Sequence, residues 1–108
     1  MYPKKFASMV DQFQRLPGVG VKTAERYAFD VLDWDKEDID CMITALIDMK
    51  EQIHTCEVCG NLAEDTKCLV CEDSNRDHGI ICVVQSPRDV IAMEKTNEFS
   101  GVYHVLNG

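Results

Sequence analysis

The sequence predicts an α+β protein: a three-helix domain, a small four-cysteine knuckle, and the first βαβ unit of a truncated α/β domain. Three observations carry this reading. Apolar residues recur at helical spacing through the first half. Four cysteines then fall as two Cys-x2-Cys pairs, Cys56/Cys59 and Cys68/Cys71. Finally, the β-branched run "GIICVVQ", the helix start "SPRD" and the apolar run "GVYHVLNG" follow one another to residue 108.

Phe6, Met9, Val10, Phe13 and Leu16 share one helical face, which predicts an amphipathic helix over about 4–16. Pro17-Gly18 stops it. A second helix is expected over 21–32, with Val21, Ala24, Ala28, Val31 and Leu32 on one face. Asp35 can cap a third helix, whose first turn is acidic as the helix dipole favours; Ile39, Met42, Ile43, Leu46 and Ile53 give its expected buried stripe.

Residues 54–77 carry little periodicity beyond their cysteines. "GIICVVQ" reads as a strand buried on both faces. Ser86 as N-cap, Pro87 at the first helical position and Asp89 in the first turn predict a helix to about Asn97, and "GVYHVLNG" a second strand. Strand, helix and strand at this spacing make a parallel pair. Two strands and one helix leave a sheet face uncovered, so the sequence is expected to be the N-terminal part of a longer protein.

No apolar run approaches the roughly 20 residues that span a bilayer, and the N-terminus lacks a signal-peptide core, which predicts a cytoplasmic protein. Six cysteines in that reducing compartment point away from a disulfide framework. The net charge is −8, but unevenly spread: residues 1–28 hold Lys4, Lys5, Arg15, Lys22 and Arg26 against Asp11 and Glu25, while 29–55 hold two bases and eight acids. Charge acts over about 10 Å at ordinary salt, so the first segment can face a polyanion that the rest repels.

The two Cys-x2-Cys pairs, eight residues apart, each aim two sulfurs at one point, and together they suit a tetrahedral metal site of four sulfurs. Cys56, Cys59, Cys68 and Cys71 are the expected ligands of one structural zinc, since four protein ligands leave no open position; the same donors can hold iron. Gly60 helps the first knuckle turn. His54 is expected at the surface rather than on the metal, and Cys41 and Cys82 as packed apolar residues.

"LPGVGVKTAERYA", residues 16–28, lies between the first two helices. Gly18 and Gly20 would turn the chain through positive φ, with Val19 packed inward. The N–H groups at the start of the second helix, with Lys22 and Arg26 one turn apart on one face, then form a phosphate site that reads no bases. An ordinary packing hairpin fits the same residues.

This stretch resembles the helix-hairpin-helix motif. Followed by "CEVCGNLAEDTKCLVCED" and "ICVVQSPRDVIAMEKTNEFSGVYHVLNG", the whole chain resembles the RecR family of bacterial recombination mediators. The resemblance implies a helix-hairpin-helix DNA-binding and dimerisation domain over 1–54, a four-cysteine zinc finger over 55–78 and the start of a Toprim domain over 79–108. It implies a non-catalytic role in DNA repair, acting with RecO, and in some settings RecF, at gapped DNA to help RecA replace single-strand-binding protein. It further implies a cytoplasmic, nucleoid-associated protein, and homo-oligomers that pair through the N-terminal domain and close into tetrameric rings, with Lys22, Arg26 and the hairpin glycines Gly18 and Gly20 on the DNA side. The chain departs from the family pattern at Val21, where proline is common. Catalytic Toprim domains end the first strand on glutamate; here Gln85 stands there, an amide that is no general base. A Mg2+-dependent Toprim nuclease or primase part, and an electron carrier with iron on the four cysteines, are the competing readings.

Overall fold

The computed structural model describes all 108 residues. The chain divides into two compact units, Met1–Leu46 and Ile47–Gly108.

In the first unit, α1 (Lys4–Gln14) and α2 (Val21–Leu32) pack through Val10, Ala24 and Ala28, with Phe6, Phe13 and Val19 around them. The two alanines leave room for close helix approach, so Val10 is almost wholly buried. α1 ends two residues earlier than its periodicity suggests: the N–H groups of Arg15 and Leu16 turn back to Gln12 and Phe13. Gly18 then takes φ +81, the left-handed conformation that favours glycine.

α3 (Lys36–Gln52) forms where its spacing predicts, and the boundary between the units falls within it. Its expected burial is corrected. No α3 residue is fully buried; Met42, Ile43 and Leu46 are exposed, and Ile39 and, beyond the helix, Ile53 half-buried. Cys41 is exposed too, not packed. Periodicity gives the apolar face of a helix but not what covers it.

The second unit holds two short strands, β1 (His54–Thr55) and β2 (Leu62–Ala63), paired antiparallel, then one helical turn, α4 (Leu69–Glu72). β3 (Asp77–Val84), α5 (Pro87–Glu94) and β4 (Gly101–Val105) complete it. β3 and β4 are parallel, with Ile81 opposite Val102 and Val84 opposite Val105. Asp89 accepts from the N–H groups of Gln85 and Ser86, which fixes the start of α5; the helix ends at Glu94, short of Asn97, whose φ is positive.

β3 is not buried on both faces as its composition suggests. Ile80, Ile81 and Val83 are exposed, while Cys82 and Val84 are half-buried against the core. Only one strand pairs with it, and within this chain helix packing covers one face at most. The core of this unit joins Cys56, Cys59, Ala63, Cys68 and Val70 to Val90, Val102, Tyr103 and Val105.

Candidate metal centre and nucleic-acid interface

The segment from His54 to Asp73 is too short to build a core of its own, so backbone bonds and sulfur geometry shape it. Cys56 donates its N–H to Asn61 O (2.7 Å) and Gly60 donates to Cys56 O (3.0 Å), closing the first knuckle. Gly60 takes φ +86, and a side chain there would put its Cβ 2.7 Å from Val105 O. The close approach serves a purpose: Val105 N–H donates to Cys59 O (2.7 Å) and Asn107 to Gly60 O (2.8 Å), tying the knuckle to the end of β4. In the second knuckle, Cys68 caps α4 and its sulfur accepts from Cys71 N–H (3.4 Å).

The four Sγ atoms of Cys56, Cys59, Cys68 and Cys71 lie within 4.8 Å of one another. Cys56 and Cys71 Sγ are 3.8 Å apart and Cys59 and Cys68 Sγ 3.6 Å. A tetrahedron with metal–sulfur bonds of about 2.3 Å has sulfur–sulfur edges of about 3.8 Å, so the donor set fits such an ion. Cys68 N–H also donates to Cys56 Sγ (3.2 Å), the kind of bond that steadies a thiolate.

The clustered thiols differ in how readily they ionise. Burial works against ionising Cys56, but N–H groups of Cys59, Cys68 and Val58 outweigh it and bring its pKa down to about 6. Burial pushes Cys59 up to about 11 and, with hydrogen bonds that the Cys71 thiol makes to Cys59 and Cys68, pushes Cys71 higher still. Four thiolates together need a metal's charge, and binding must release the protons of the last to ionise. His54 is no fifth ligand. Its exposed ring lies between Asp65 O (Nε2, 2.6 Å) and Gln52 O (Nδ1, 3.2 Å), lacing the knuckle to the end of α3.

The hairpin is built from the chain turn 15–20. Val19 N–H donates to Leu16 O (3.2 Å), and Val19 packs against the α1–α2 core. Gly20 is corrected: it is the N-cap of α2 at φ −84, ψ −179, extended rather than left-handed. No side chain caps this helix end and its first turn holds no acid, so the leading N–H groups stay open to an anion. Lys22 and Arg26 are exposed, and neither forms an ion pair; the ion pairs of the chain both belong to Arg76. Arg26 instead lies over the ring of Tyr27, 5.8 Å from its centroid.

Sequence reasoning missed a second polar centre. Arg76 and Tyr103 both donate to the Glu94 carboxylate, and Arg76 also donates to Phe99 O (3.2 Å) and Gly101 O (3.3 Å). Arg76 holds the Glu94 carboxyl below the usual carboxylate range, and burial, then Glu94, pushes the Tyr103 hydroxyl up. This network joins the loop after α4 to α5 and β4; no spacing rule links residues so far apart in sequence.

Family models match along the chain in order: the RecR helix-hairpin-helix over 6–50, the RecR zinc finger domain of four cysteines over 53–73, and the Toprim domain over 79–108. Recombination protein RecR of Staphylococcus aureus strains JH9 and Newman, and that of Staphylococcus haemolyticus strain JCSC1435, are each 47% identical to it over 107 residues, which is 99% of this chain and 54% of each relative. The chain thus spans about half the length of the curated relatives it matches. No helix is long and apolar enough to cross a membrane.

Proposed function

From a chain that belongs to the RecR family, we propose a non-catalytic DNA-binding recombination mediator in DNA repair. The observation that carries the DNA role is the open N-terminus of α2 with Lys22 and Arg26 exposed and unpaired beside it, in a chain otherwise strongly acidic. Phosphates would sit at that helix end near Gly18 and Gly20 and take charge from the two side chains. Such a grip is indifferent to sequence, as a protein acting at arbitrary gaps requires. Gln85, the residue just after β3, stands in place of an ionisable acid and supports a role without Toprim chemistry.

Cys56, Cys59, Cys68 and Cys71 would hold one structural zinc. The ion would supply the positive charge that four clustered thiolates need, and the chain's own N–H groups and knuckle turns would fix the sulfurs around it. The domains would run 1–54, 55–78 and 79–108. The protein would act in the bacterial cytoplasm on the nucleoid with RecO, and in some settings RecF, to help RecA onto gapped DNA. N-terminal domains would pair, and four copies would close a ring whose several hairpins give avidity that one acidic copy lacks.

The test is titration of the protein onto DNAs of several sequences at low salt with Mg2+ present. Equal binding to all, with no strand cleavage and no primer synthesis, is expected. Cleavage or synthesis would move the protein among Toprim enzymes, and no binding would remove the DNA role.

A further inference from the structure

Arg26 has a nearer partner than DNA. Asp30 lies four residues on, on the same helical face, where an Arg–Asp pair commonly forms. Yet Arg26 makes no ion pair. Its guanidinium rests over the Tyr27 ring at 5.8 Å, within the range of a cation–π contact.

Tyr27 is not a loose surface side chain. Its ring meets Phe13 of α1 edge-on, with centroids 5.7 Å apart and planes at 75°. Phe13 is in turn packed on the core formed by Val10, Ala24 and Ala28. A chain of contacts thus runs from the buried core through Phe13 and Tyr27 to Arg26. Tyr27 is itself 40% exposed, so core filling does not account for an aromatic at this position.

We propose that Tyr27 is a positioning residue for DNA binding: braced by Phe13, its ring holds the Arg26 guanidinium ready for phosphate and away from Asp30. The inference rests on the DNA role of the hairpin. An arginine so held loses less side-chain freedom on binding than a free one. The contact adds no cation, so it raises affinity without changing how many counterions are released.

The experiment compares DNA affinity across several salt concentrations for wild type, Lys22→Ala, Arg26→Ala, Tyr27→Leu, Tyr27→Phe and the double variant Tyr27→Leu/Arg26→Ala. Tyr27→Leu should weaken binding about two- to fivefold at unchanged salt slope. Tyr27→Phe, which keeps the ring, should bind as wild type. Tyr27→Leu should cost nothing further once Arg26 is gone. Equal losses with and without Arg26, or a Phe variant as weak as the Leu variant, would overturn the inference while leaving the hairpin's DNA role intact. Wild-type binding by both Lys22→Ala and Arg26→Ala would instead overturn that role. If Tyr27→Leu does not fold, nuclear magnetic resonance of the wild type decides. The Arg26 side-chain protons should show ring-current shifts that persist in Tyr27→Phe, and their absence would overturn the inference.

Discussion

Replacing Glu94 by glutamine keeps its shape and removes its charge. Its carboxylate accepts from Arg76 and Tyr103, with side chains of Arg76 and Glu94 16% and 30% exposed. Hydrogen bonds to a charged partner contribute about 1.5–3 kcal/mol, and neutral ones about 0.5–1.5 kcal/mol. Arg76 gives that carboxylate two bonds and Tyr103 one, so three weakened bonds would cost about 3 kcal/mol, and solvent screening at a partly exposed carboxylate lowers this to about 1.5 kcal/mol. Arg76 keeps the carbonyls of Phe99 and Gly101, which limits the loss. Amide hydrogen exchange across β4 reads this unit directly, and exchange in Glu94→Gln should be roughly tenfold faster near neutral pH. The sign of the pH dependence follows from Arg76, then Tyr103, lowering the Glu94 pKa. A depressed carboxylate stabilises the fold above its ordinary pKa of about 4.3 and stops doing so as pH falls through its folded value. The gap between wild type and variant should therefore close on acidification, and any loss of metal common to both proteins cancels in the comparison. Equal exchange at neutral pH, or a gap that acid leaves unchanged, would refute the charged network.

Cys59→Ser removes one of four clustered sulfurs; metal content should fall from one zinc per chain to under half, with rapid exchange over residues 54–73, as elemental analysis and amide exchange would read. Gly60→Ala meets both a left-handed φ and Val105 O, so it should cost about 2 kcal/mol or more in urea unfolding. Gly20→Ala, with no atom within 4 Å of the added Cβ and an ordinary φ, should leave stability within about 0.5 kcal/mol in the same assay. Tyr2, Met9, Phe29 and Leu32 are exposed on the small first unit, so sedimentation should find a concentration-dependent dimer; monomer throughout would count against pairing.

The sequence was most legible where local chemistry decides the outcome. α2 starts and ends as its spacing predicts because Pro17-Gly18 and the charged turn after Leu32 bound it. The cysteine spacing was enough to foresee sulfurs converging. Burial was less legible, because it depends on partners. The apolar stripes of α3 and β3 are real, but most of their residues remain exposed in this chain. β1, β2 and α4 carry no periodic signal; they exist because knuckle bonds, such as Cys56 to Asn61, impose them. Gly20 showed that a glycine-rich turn does not reveal which glycine needs the left-handed conformation. The Arg76–Glu94–Tyr103 network had no signature at all, since only the fold brings its members together.

The central claim is that the hairpin grips phosphates, and the salt dependence of DNA affinity tests it most directly. Wild type, Lys22→Ala and Arg26→Ala would be titrated at several salt concentrations, each shown to be folded. Each alanine should weaken binding to all sequences about equally and flatten the log–log salt slope by roughly one unit, because one phosphate contact is lost. With only five bases in the first 28 residues and the rest of the chain strongly acidic, there are few substitutes for either cation. If both variants keep wild-type affinity and slope, the hairpin is a packing turn and the DNA site lies elsewhere.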